Sequence, residues 1–475
     1  MFRHADARST MTAPRRALIV LLLAVQFLAS VHAQPAASAA PDSEVRVRFL
    51  GLLVEYPDAP ALSLAWLDAN WRDEFVPMAL EIVRFIPQRA TGQELLQMVA
   101  RKTGATGPGN DWAAWMRWQW ARPAPPPSFA AFKASLYSNI DPHFEAYFAP
   151  QYPALIRLDE VVWGGVQQDG IPPLRKPKML AARDANYLAT TDVVFGVEIN
   201  GDPRAYPKRI LAWHEMFVDD IGGVAVAGVY CTLCGAVIVY ETVVAGQAHR
   251  LGTSGFLYRS NKLMYDADTQ SLWNTLEGRP VIGTLADKDI ALPTRDVVTT
   301  TWGEWKKRHP ATTVLSLDTG YRRDYGEGEA YRIYFATDAL MFPVPGDDRR
   351  LRNKQEVLVP RFGKPGERPL AIGSDYLRQN PVWHGRFGGR DFVVLTDATG
   401  GHRIYALVAG MRVATWNGDR RLVDGKGDTW TLTESALTSN GRRMTRLPSH
   451  NAFWFGWRAA HPETELIAGD APAAR

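Results

Sequence analysis

The two cysteines of the chain lie three residues apart, in the stretch Val229-Tyr230-Cys231-Thr232-Leu233-Cys234-Gly235. No other cysteine occurs among the 475 residues, which indicates that the two act as a pair. A Cys-x-x-Cys pair supports thiol-disulfide exchange. By analogy with other proteins of this pattern, Cys231 is the predicted attacking thiol and Cys234 the predicted resolving thiol. An inert structural disulfide is the simpler interpretation of the same spacing.

A metal site is the main alternative use of the two cysteines. A closed zinc site needs two further ligands, and no second Cys-x-x-Cys occurs. His214 and Met264 are the candidates, with Glu215 or Asp220 as other options. A sulfur-rich set favours copper over magnesium or calcium, and zinc is the other candidate ion. Attachment of haem c is excluded because Gly235 stands where that motif needs histidine.

A non-catalytic binding module is the third function that the composition allows. Exposed members of the sixteen tryptophans would then hold a glycan or a protein partner, although most tryptophans are expected to pack in cores. The sequence contains no nucleophile elbow, Walker loop, dinucleotide fingerprint or zincin helix. The only enzyme class it indicates is therefore an oxidoreductase-like thiol protein, whose redox or protein partner the sequence does not identify.

Two short β-branched runs must position the cysteines. Residues 224–229 and 236–240 read as strands, so the pair is predicted at a hairpin turn that Gly235 closes. In thioredoxin the first cysteine begins a helix, whose positive end lowers the pKa of the thiol. Here any activation has to come from neighbouring cations or from a metal.

The N-terminus resembles a secretory signal. Arg15 and Arg16 precede an apolar core, and Val31-His32-Ala33 offers a small-residue cleavage pattern. Cleavage near Ala33 would leave a periplasmic or secreted protein with no transmembrane segment. Loss of four arginines and one aspartate reduces the net charge from +4 to about +1, which gives no reason to expect nucleic-acid binding.

The remaining chain is predicted to be α+β, with a helical N-terminal region followed by a mainly-β domain. Thr91 and Glu94 indicate a capping box for a helix that Gly104 ends. Beyond Asp192, short β-branched runs alternate with turn residues. The predicted segments are a signal peptide at 1–33, a disordered leader at 34–44, a helical domain at 45–155, a connecting segment at 156–191, a first β-rich repeat at 192–317, a linker at 318–355, a second repeat without cysteines at 356–468 and a tail at 469–475.

The two β-rich segments share a series of matches in the same order. Among them are Trp213-His214 with Trp383-His384, Gly222-Gly223 with Gly388-Gly389, and the Trp-x-x-Trp-x-x-x-His-Pro patterns that start at Trp302 and Trp454. In this alignment Thr396 and Thr399 take the places of Cys231 and Cys234. The turn is therefore expected to form without thiols, and the histidine of each Trp-His pair is expected to be architectural.

With these motifs and Ser260-Asn261-Lys262-Leu263-Met264-Tyr265-Asp266, the chain resembles the DUF3179 family of exported bacterial proteins over residues 156–468. The resemblance implies no established function. Some relatives are described as selenoproteins, which implies redox use of the cysteine positions. The family's Cys-Pro-Leu-Cys-Gly has Thr232 in place of proline here, and Asp219 stands where the family usually has asparagine.

Overall fold

The structure of the protein is a computed structural model that describes residues 42–56 and 58–469. The predicted signal peptide lies outside these residues, as does the leader up to residue 41. The last three residues of the predicted leader, 42–44, are helical rather than disordered. No helix of the described residues is both long and apolar enough to cross a membrane. The chain divides into two compact units between Thr106 and Gly107.

The first compact unit is helical. Its helices are α1 Asp42–Gly51, α2 Ala59–Ala69, α3 Val76–Val83 and α4 Ala90–Thr103, with a 3₁₀ turn at Asp73–Phe75. Helix α4 ends at Gly104, whose φ of 70° forms the predicted left-handed C-cap. The predicted capping box is wrong, because α4 starts at Ala90, before Thr91, and no side chain caps it.

Three helices begin the second compact unit, and the last two of them pack against its strands. They are α5 Trp112–Trp120, α6 Ser128–Tyr137 and α7 His143–Tyr147. The ring of Phe256, in a strand, meets the rings of Tyr137, Phe144 and Phe148 edge-on at centroid distances of 5.0, 4.8 and 5.1 Å. Such aromatic packing attaches α6 and α7 to the sheets. The helical segment predicted at 45–155 is thus divided between the two units.

The first half of the β-rich region contains seventeen short strands. They are β1 Val161–Trp163, β2 Leu174–Arg175, β3 Met179–Ala181, β4 Val193–Ile199, β5 Asp202–Pro207, β6 Met216–Ile221, β7 Val224–Cys231, β8 Ala236–Glu241, β9 Val243–Val244, β10 Gln247–Ala248, β11 Leu251–Tyr258, β12 Asn261–Asp266, β13 Leu272–Asn274, β14 Arg279–Ile282, β15 Thr294–Arg295, β16 Val298–Thr301 and β17 Thr313–Leu315. The sheet orders are β16-β4-β5-β17-β3, β15-β8-β7-β6-β2, β1-β11-β12-β13-β14 and β9-β10. Helices α8 (Lys208–His214) and α9 (Trp302–Arg308) follow β5 and β16, and a 3₁₀ turn at Leu158–Glu160 precedes β1.

The second half begins after α10 (Arg332–Phe335), the only helix that the described residues form between β17 and the next strand. Its strands are β18 Glu356–Pro360, β19 Leu370–Gly373, β20 Val382–Phe387, β21 Arg390–Thr396, β22 His402–Ala406, β23 Val413–Trp416, β24 Arg421–Asp424, β25 Thr429–Leu432, β26 Ala436–Ser439, β27 Arg442–Thr445, β28 Ser449–Phe453 and β29 Glu465–Ile467. They form sheets of order β28-β18-β19-β29, β20-β21-β22 and β23-β24-β25-β26-β27. Helices α11 (Ser374–Gln379) and α12 (Trp454–Ala460) follow β19 and β28. Helices near the N-terminus and sheets in the rest confirm the predicted α+β class.

One pattern of strand pairing occurs in both halves. Strand β4 pairs antiparallel with β5 and β16, and β5 pairs parallel with β17. Strand β18 pairs antiparallel with β19 and β28, and β19 pairs parallel with β29. Helices α9 and α12 occupy the same place in the two patterns. In each helix a tryptophan ring lies 4.1 Å from a histidine ring four residues later, Trp305 on His309 and Trp457 on His461.

The predicted correspondence of the two Trp-His pairs is wrong. Trp213-His214 ends helix α8, whereas Trp383-His384 lies inside strand β20. The Gly222-Gly223 and Gly388-Gly389 turns, all four with positive φ, follow β6 and β20 and place these two strands in the same position. His214 therefore has no counterpart in His384, and its role has to be judged from its own contacts.

Candidate active site

The two cysteines lie at the turn of the β7–β8 hairpin, as predicted. Cys231 ends β7 and pairs with Ala236, the first residue of β8. The N–H of Cys234 donates to the carbonyl of Cys231 at 3.1 Å. Gly235 has a φ of 61°, which glycine adopts without strain. A Cβ at this position would also lie 2.8 Å from the ring of Phe453, so Gly235 has two separate reasons to be glycine.

Both thiols are free and buried, with residue exposures of 2% for Cys231 and 1% for Cys234. The two cysteines approach to 3.0 Å. The carbonyl oxygen of Ser260 lies 3.1 Å from Cys234 Sγ and 3.9 Å from Cys231 Sγ. It belongs to the turn between β11 and β12, where Arg259 and Ser260 have φ of 49° and 65°. These left-handed angles are strained for residues other than glycine, and the strained turn aims an acceptor at the two thiols.

The surroundings shift the pKa values of the two thiols in opposite directions. Burial acts to raise the pKa of Cys231, but hydrogen bonds from the Cys234 thiol and from the backbone N–H of Lys262 outweigh it, and the pKa is lowered. The pKa of Cys234 is raised well above its ordinary value by burial, by its hydrogen bond to Cys231 and by the charge on that sulfur. Cys231 is therefore the thiol that ionises first, as an attacking thiol must.

A buried ion pair lies beside the cysteines. Lys262 Nζ is 2.6 Å from Glu215 Oε2, and the two side chains are 6% and 8% exposed. Lys262 Nζ also donates to the carbonyl of Glu215 at 3.3 Å, and the hydroxyl of Tyr331 donates to Glu215 Oε1 at 3.0 Å. A neighbouring cation was one of the two sources of activation that the sequence left open, and Lys262 is present but paired with Glu215. The backbone N–H of Lys262 lowers the pKa of Cys231, while the Glu215 carboxylate acts to raise it.

The second half of the β-rich region supplies one wall of the site. The N–H of Phe453 donates to the carbonyl of Cys234 at 2.6 Å. A Cβ added to Gly456, in α12, would lie 2.9 Å from Cys234 Cβ. Asn261 Nδ2, next to Ser260, donates to the carbonyl of Gly456 at 3.1 Å. The cysteine turn is therefore packed between two parts of the chain that are distant in sequence.

The structure separates the metal ligands proposed from the sequence. Met264 is fully buried and belongs to the same apolar cluster as both cysteines. His214 lies elsewhere, with Nδ1 2.9 Å from the carbonyl of Pro172 and Nε2 2.6 Å from the hydroxyl of Tyr325. Both ring nitrogens are thus occupied, and burial lowers the pKa of His214. Within residues 42–56 and 58–469, no group of three or more His, Cys, Asp or Glu could hold a metal ion.

The turn that follows β21, in the second half, is closed by a carboxylate. Thr396 ends β21 as Cys231 ends β7. Asp397 Oδ1 accepts hydrogen bonds from the N–H and the hydroxyl of Thr399 at 3.0 and 2.7 Å, and from the N–H of Gly401 at 2.9 Å. An aspartate that accepts hydrogen bonds from its own turn in this way is a common means of closing a turn. The turn after β21 therefore closes without cysteine.

Two functional residues of the site could have been found from the sequence. Lys262 is a charged residue in a short strand and is followed by the apolar residues Leu263 and Met264. A charge buried in such a strand needs a partner. The sequence indicated Glu215 only as an alternative metal ligand, although an acidic residue is the ordinary partner of a buried lysine. Tyr331 and Tyr334 lie in the predicted linker and gave no such signal. The hydroxyl of Tyr334 donates to the carbonyl of Leu233, between the two cysteines, at 2.8 Å.

The molecule is thus an α+β protein that carries a buried, hydrogen-bonded pair of thiols on a β-hairpin. The chain belongs to the DUF3179 family, described as a protein of unknown function, whose model matches residues 168–464. No curated protein and no solved structure matches the chain. The predicted family is confirmed, and it brings no assigned activity with it.

Proposed function

We propose that the protein carries out thiol-disulfide oxidoreduction through Cys231 and Cys234. The thiolate of Cys231 attacks one sulfur of a substrate disulfide, forms a mixed disulfide and releases the other sulfur as a thiolate. Cys234 then loses its proton and attacks Cys231, which forms the Cys231–Cys234 disulfide and releases the second substrate thiolate. Two electrons pass from the pair to the substrate, and the two thiol protons end on the substrate thiols.

The observation that carries this proposal is the geometry of the pair, two free thiols 3.0 Å apart at one hairpin turn, and the opposite directions of their pKa shifts agree with it. A lowered pKa at Cys231 favours attack at neutral pH. A raised pKa keeps Cys234 protonated until the mixed disulfide forms, so it donates a hydrogen bond to the Cys231 thiolate. A purely structural disulfide would need neither the strained acceptor at Ser260 nor the ion pair beside it. The turn at Asp397 closes without cysteine, which supports a chemical rather than a structural role for Cys231 and Cys234.

Equilibration of the purified protein with dithiol and disulfide buffers tests the proposal. We expect a single two-electron transition between the dithiol and the Cys231–Cys234 disulfide, read by mass spectrometry after alkylation. Cys234→Ser should accumulate a mixed disulfide with glutathione at Cys231, whereas Cys231→Ser should not. A pair that stays reduced across the whole range of potentials, or equal trapping by both variants, would overturn the assignment.

The two other functions considered from the sequence lack a comparable observation. A closed zinc site needs donors beyond Cys231, Cys234 and Met264, and His214 is engaged with Pro172 and Tyr325. For copper, the structure offers no observation beyond the burial of the three sulfur residues in one apolar cluster. The tryptophans do not favour a glycan or protein binding module, since Trp273, Trp305, Trp430, Trp454 and Trp457 are among the largest fully buried side chains. Redox exchange is therefore the function that we retain.

We further propose that the protein works outside the cytoplasm. The arginines at 15 and 16, the apolar core after them and the Val31-His32-Ala33 pattern support this proposal. An exported compartment also permits disulfide chemistry. N-terminal sequencing of the cellular protein should give a start near Gln34, and an intact Met1 would contradict export by cleavage.

We also propose that residues 192–317 and 356–468 are two degenerate repeats of one β-rich unit, joined by the linker 318–355. The support is the pairing pattern of four strands that occurs twice, with a helix at the same place. The stacked Trp-His pairs of α9 and α12 add to it. Superposition of the two segments should place Cys231 on Thr396. Unrelated positions for these two residues would remove the basis for a duplication.

A further inference from the structure

The cysteine pair is covered by part of the linker. Residues 331–344, named here the cover segment, contribute Tyr334 and Val344 to the buried cluster that contains both cysteines. Phe335, Leu340 and Phe342 pack against the same cluster and are partly buried. With exposures of 1% and 2%, neither thiol can meet a disulfide substrate while this segment is in place.

Three hydrogen bonds join the cover segment to the site, besides the bonds that Asn353 and Lys354 of the same linker donate to Tyr334, Thr337 and Asp338. The hydroxyl of Tyr334 donates to the carbonyl of Leu233 at 2.8 Å, and that of Tyr331 donates to Glu215 Oε1 at 3.0 Å. The hydroxyl of Ser260 donates to the carbonyl of Phe342 at 3.2 Å. Each of these three bonds ends on a group that contacts or flanks the thiols. The cover segment therefore touches the residues that set the chemistry of the pair.

The backbone of the cover segment is attached to no sheet of the described part of the chain. It contains no strand, and its regular structure is the four-residue helix α10. Its outer face is solvated, as the 85% exposure of Ile333 indicates. Gly328 and Gly346, with φ of 74° and 69°, stand on either side of it. Segments with few backbone bonds to the core open at lower free energy than the strands beneath them.

We propose that the cover segment opens locally and that this opening controls access of disulfide substrates to Cys231. The proposal rests on the redox function proposed above and adds its regulation. In the closed state the segment keeps oxidants away from the reduced pair. When it swings away about the two glycines, the contacts of Tyr331 and Tyr334 and the bonds from Asn353 and Lys354 break, and the hairpin turn with both thiols becomes accessible.

Alkylation of the reduced full-length protein by iodoacetamide, in native buffer, measures this opening. The rate of modification of Cys231 should lie far below that of the same thiol in an unfolded chain, because only the open state reacts. Tyr334→Phe removes one hydrogen bond of the closed state and should accelerate alkylation about fivefold. Tyr331→Phe should act in the same direction.

Tyr405→Phe provides the matched control. The hydroxyl of Tyr405 donates to the carbonyl of Thr433 at 2.7 Å, so the variant loses the same kind of bond far from the cysteines. It should lower the stability against urea about as much as Tyr334→Phe does, and leave the alkylation rate unchanged. Equal acceleration by both variants would mean that the thiols react only after global unfolding, and would overturn the proposal.

Hydrogen exchange of the wild-type protein gives a second measurement if a variant fails to fold. Amides of residues 331–344 should exchange before those of β7 and β8. Exchange of all three together would contradict a local opening.

Reaction with oxidised glutathione separates the two proposals. Alkylation that depends on Tyr334, without disulfide formation, would refute the redox function alone. Disulfide formation at the rate of an exposed pair would refute the cover alone.

Discussion

Replacement of Lys262 by methionine should destabilise the reduced protein strongly. The change removes the ammonium 2.6 Å from Glu215 Oε2 and leaves the carboxylate 8% exposed. Breaking a buried pair from one side typically costs about 3–5 kcal/mol, because the remaining charge has no counterion. The hydroxyl of Tyr331 still donates to the carboxylate at 3.0 Å, so we expect the lower end, about 3 kcal/mol.

A double variant separates the charge from the packing. Lys262→Met combined with Glu215→Gln removes both charges at similar volume, and should recover most of the loss, because a neutral pair needs no desolvation of ions. Lys178→Met is the surface control. Its ammonium lies 3.0 Å from Asp318, but the two side chains are 60% and 69% exposed, and the expected cost is below about 1 kcal/mol.

Urea unfolding of the reduced proteins, followed by tryptophan fluorescence, measures these free energies. Lys262→Met should also have a chemical effect, since Glu215 acts to raise the pKa of Cys231 and would do so more strongly without its counterion. Lys262→Met should therefore slow alkylation of Cys231 at neutral pH relative to the double variant. A loss for Lys262→Met no larger than that for Lys178→Met would refute the reasoning, as would a double variant no more stable than the single one.

Three further predictions concern the thiols and acid stability. Cys231→Ser with Cys234→Ser should keep a native circular dichroism spectrum and lose all disulfide exchange; loss of the fold would instead make the cysteines structural. Cys234→Ala should move the pH midpoint of Cys231 alkylation upward, because the thiol that donates to the thiolate is gone, and an unchanged midpoint would contradict that role. Burial acts to raise the pKa of Glu277, but the hydrogen bond from His461 and the charge of Arg361 lower it from 4.5 to about 2. The contacts of the Glu277 carboxylate stabilise the folded protein above pH 4.5, and this stabilisation is lost as pH falls toward 2. The free energy of unfolding of Glu277→Gln should therefore fall less steeply with pH in that range than that of the wild type. An identical pH profile for the two proteins would contradict the contact.

The sequence by itself determined the cysteine hairpin. The β-branched runs on both sides of the motif and Gly235 specify strand, turn and strand locally, and the structure has them in that order. The helix that ends at Gly104 was predictable for the same reason, since a left-handed cap depends on neighbouring residues. The hairpin turn and the helix cap each depend on a few residues that are adjacent in the sequence, so both could be predicted from it.

Only the tertiary structure decided what surrounds the thiols. Lys262, Glu215 and Tyr331 come from a strand, a helix end and a linker, and nothing in the local pattern of one of them specifies the others. His214 shows the opposite case, because a short match to Trp383-His384 suggested a correspondence, whereas His214 ends a helix and His384 lies inside a strand. Burial, pairing of charges and the pKa of each thiol depend on atoms brought together from distant parts of the chain. Spacing along the sequence identified the pair, and packing determines which of its two thiols ionises first.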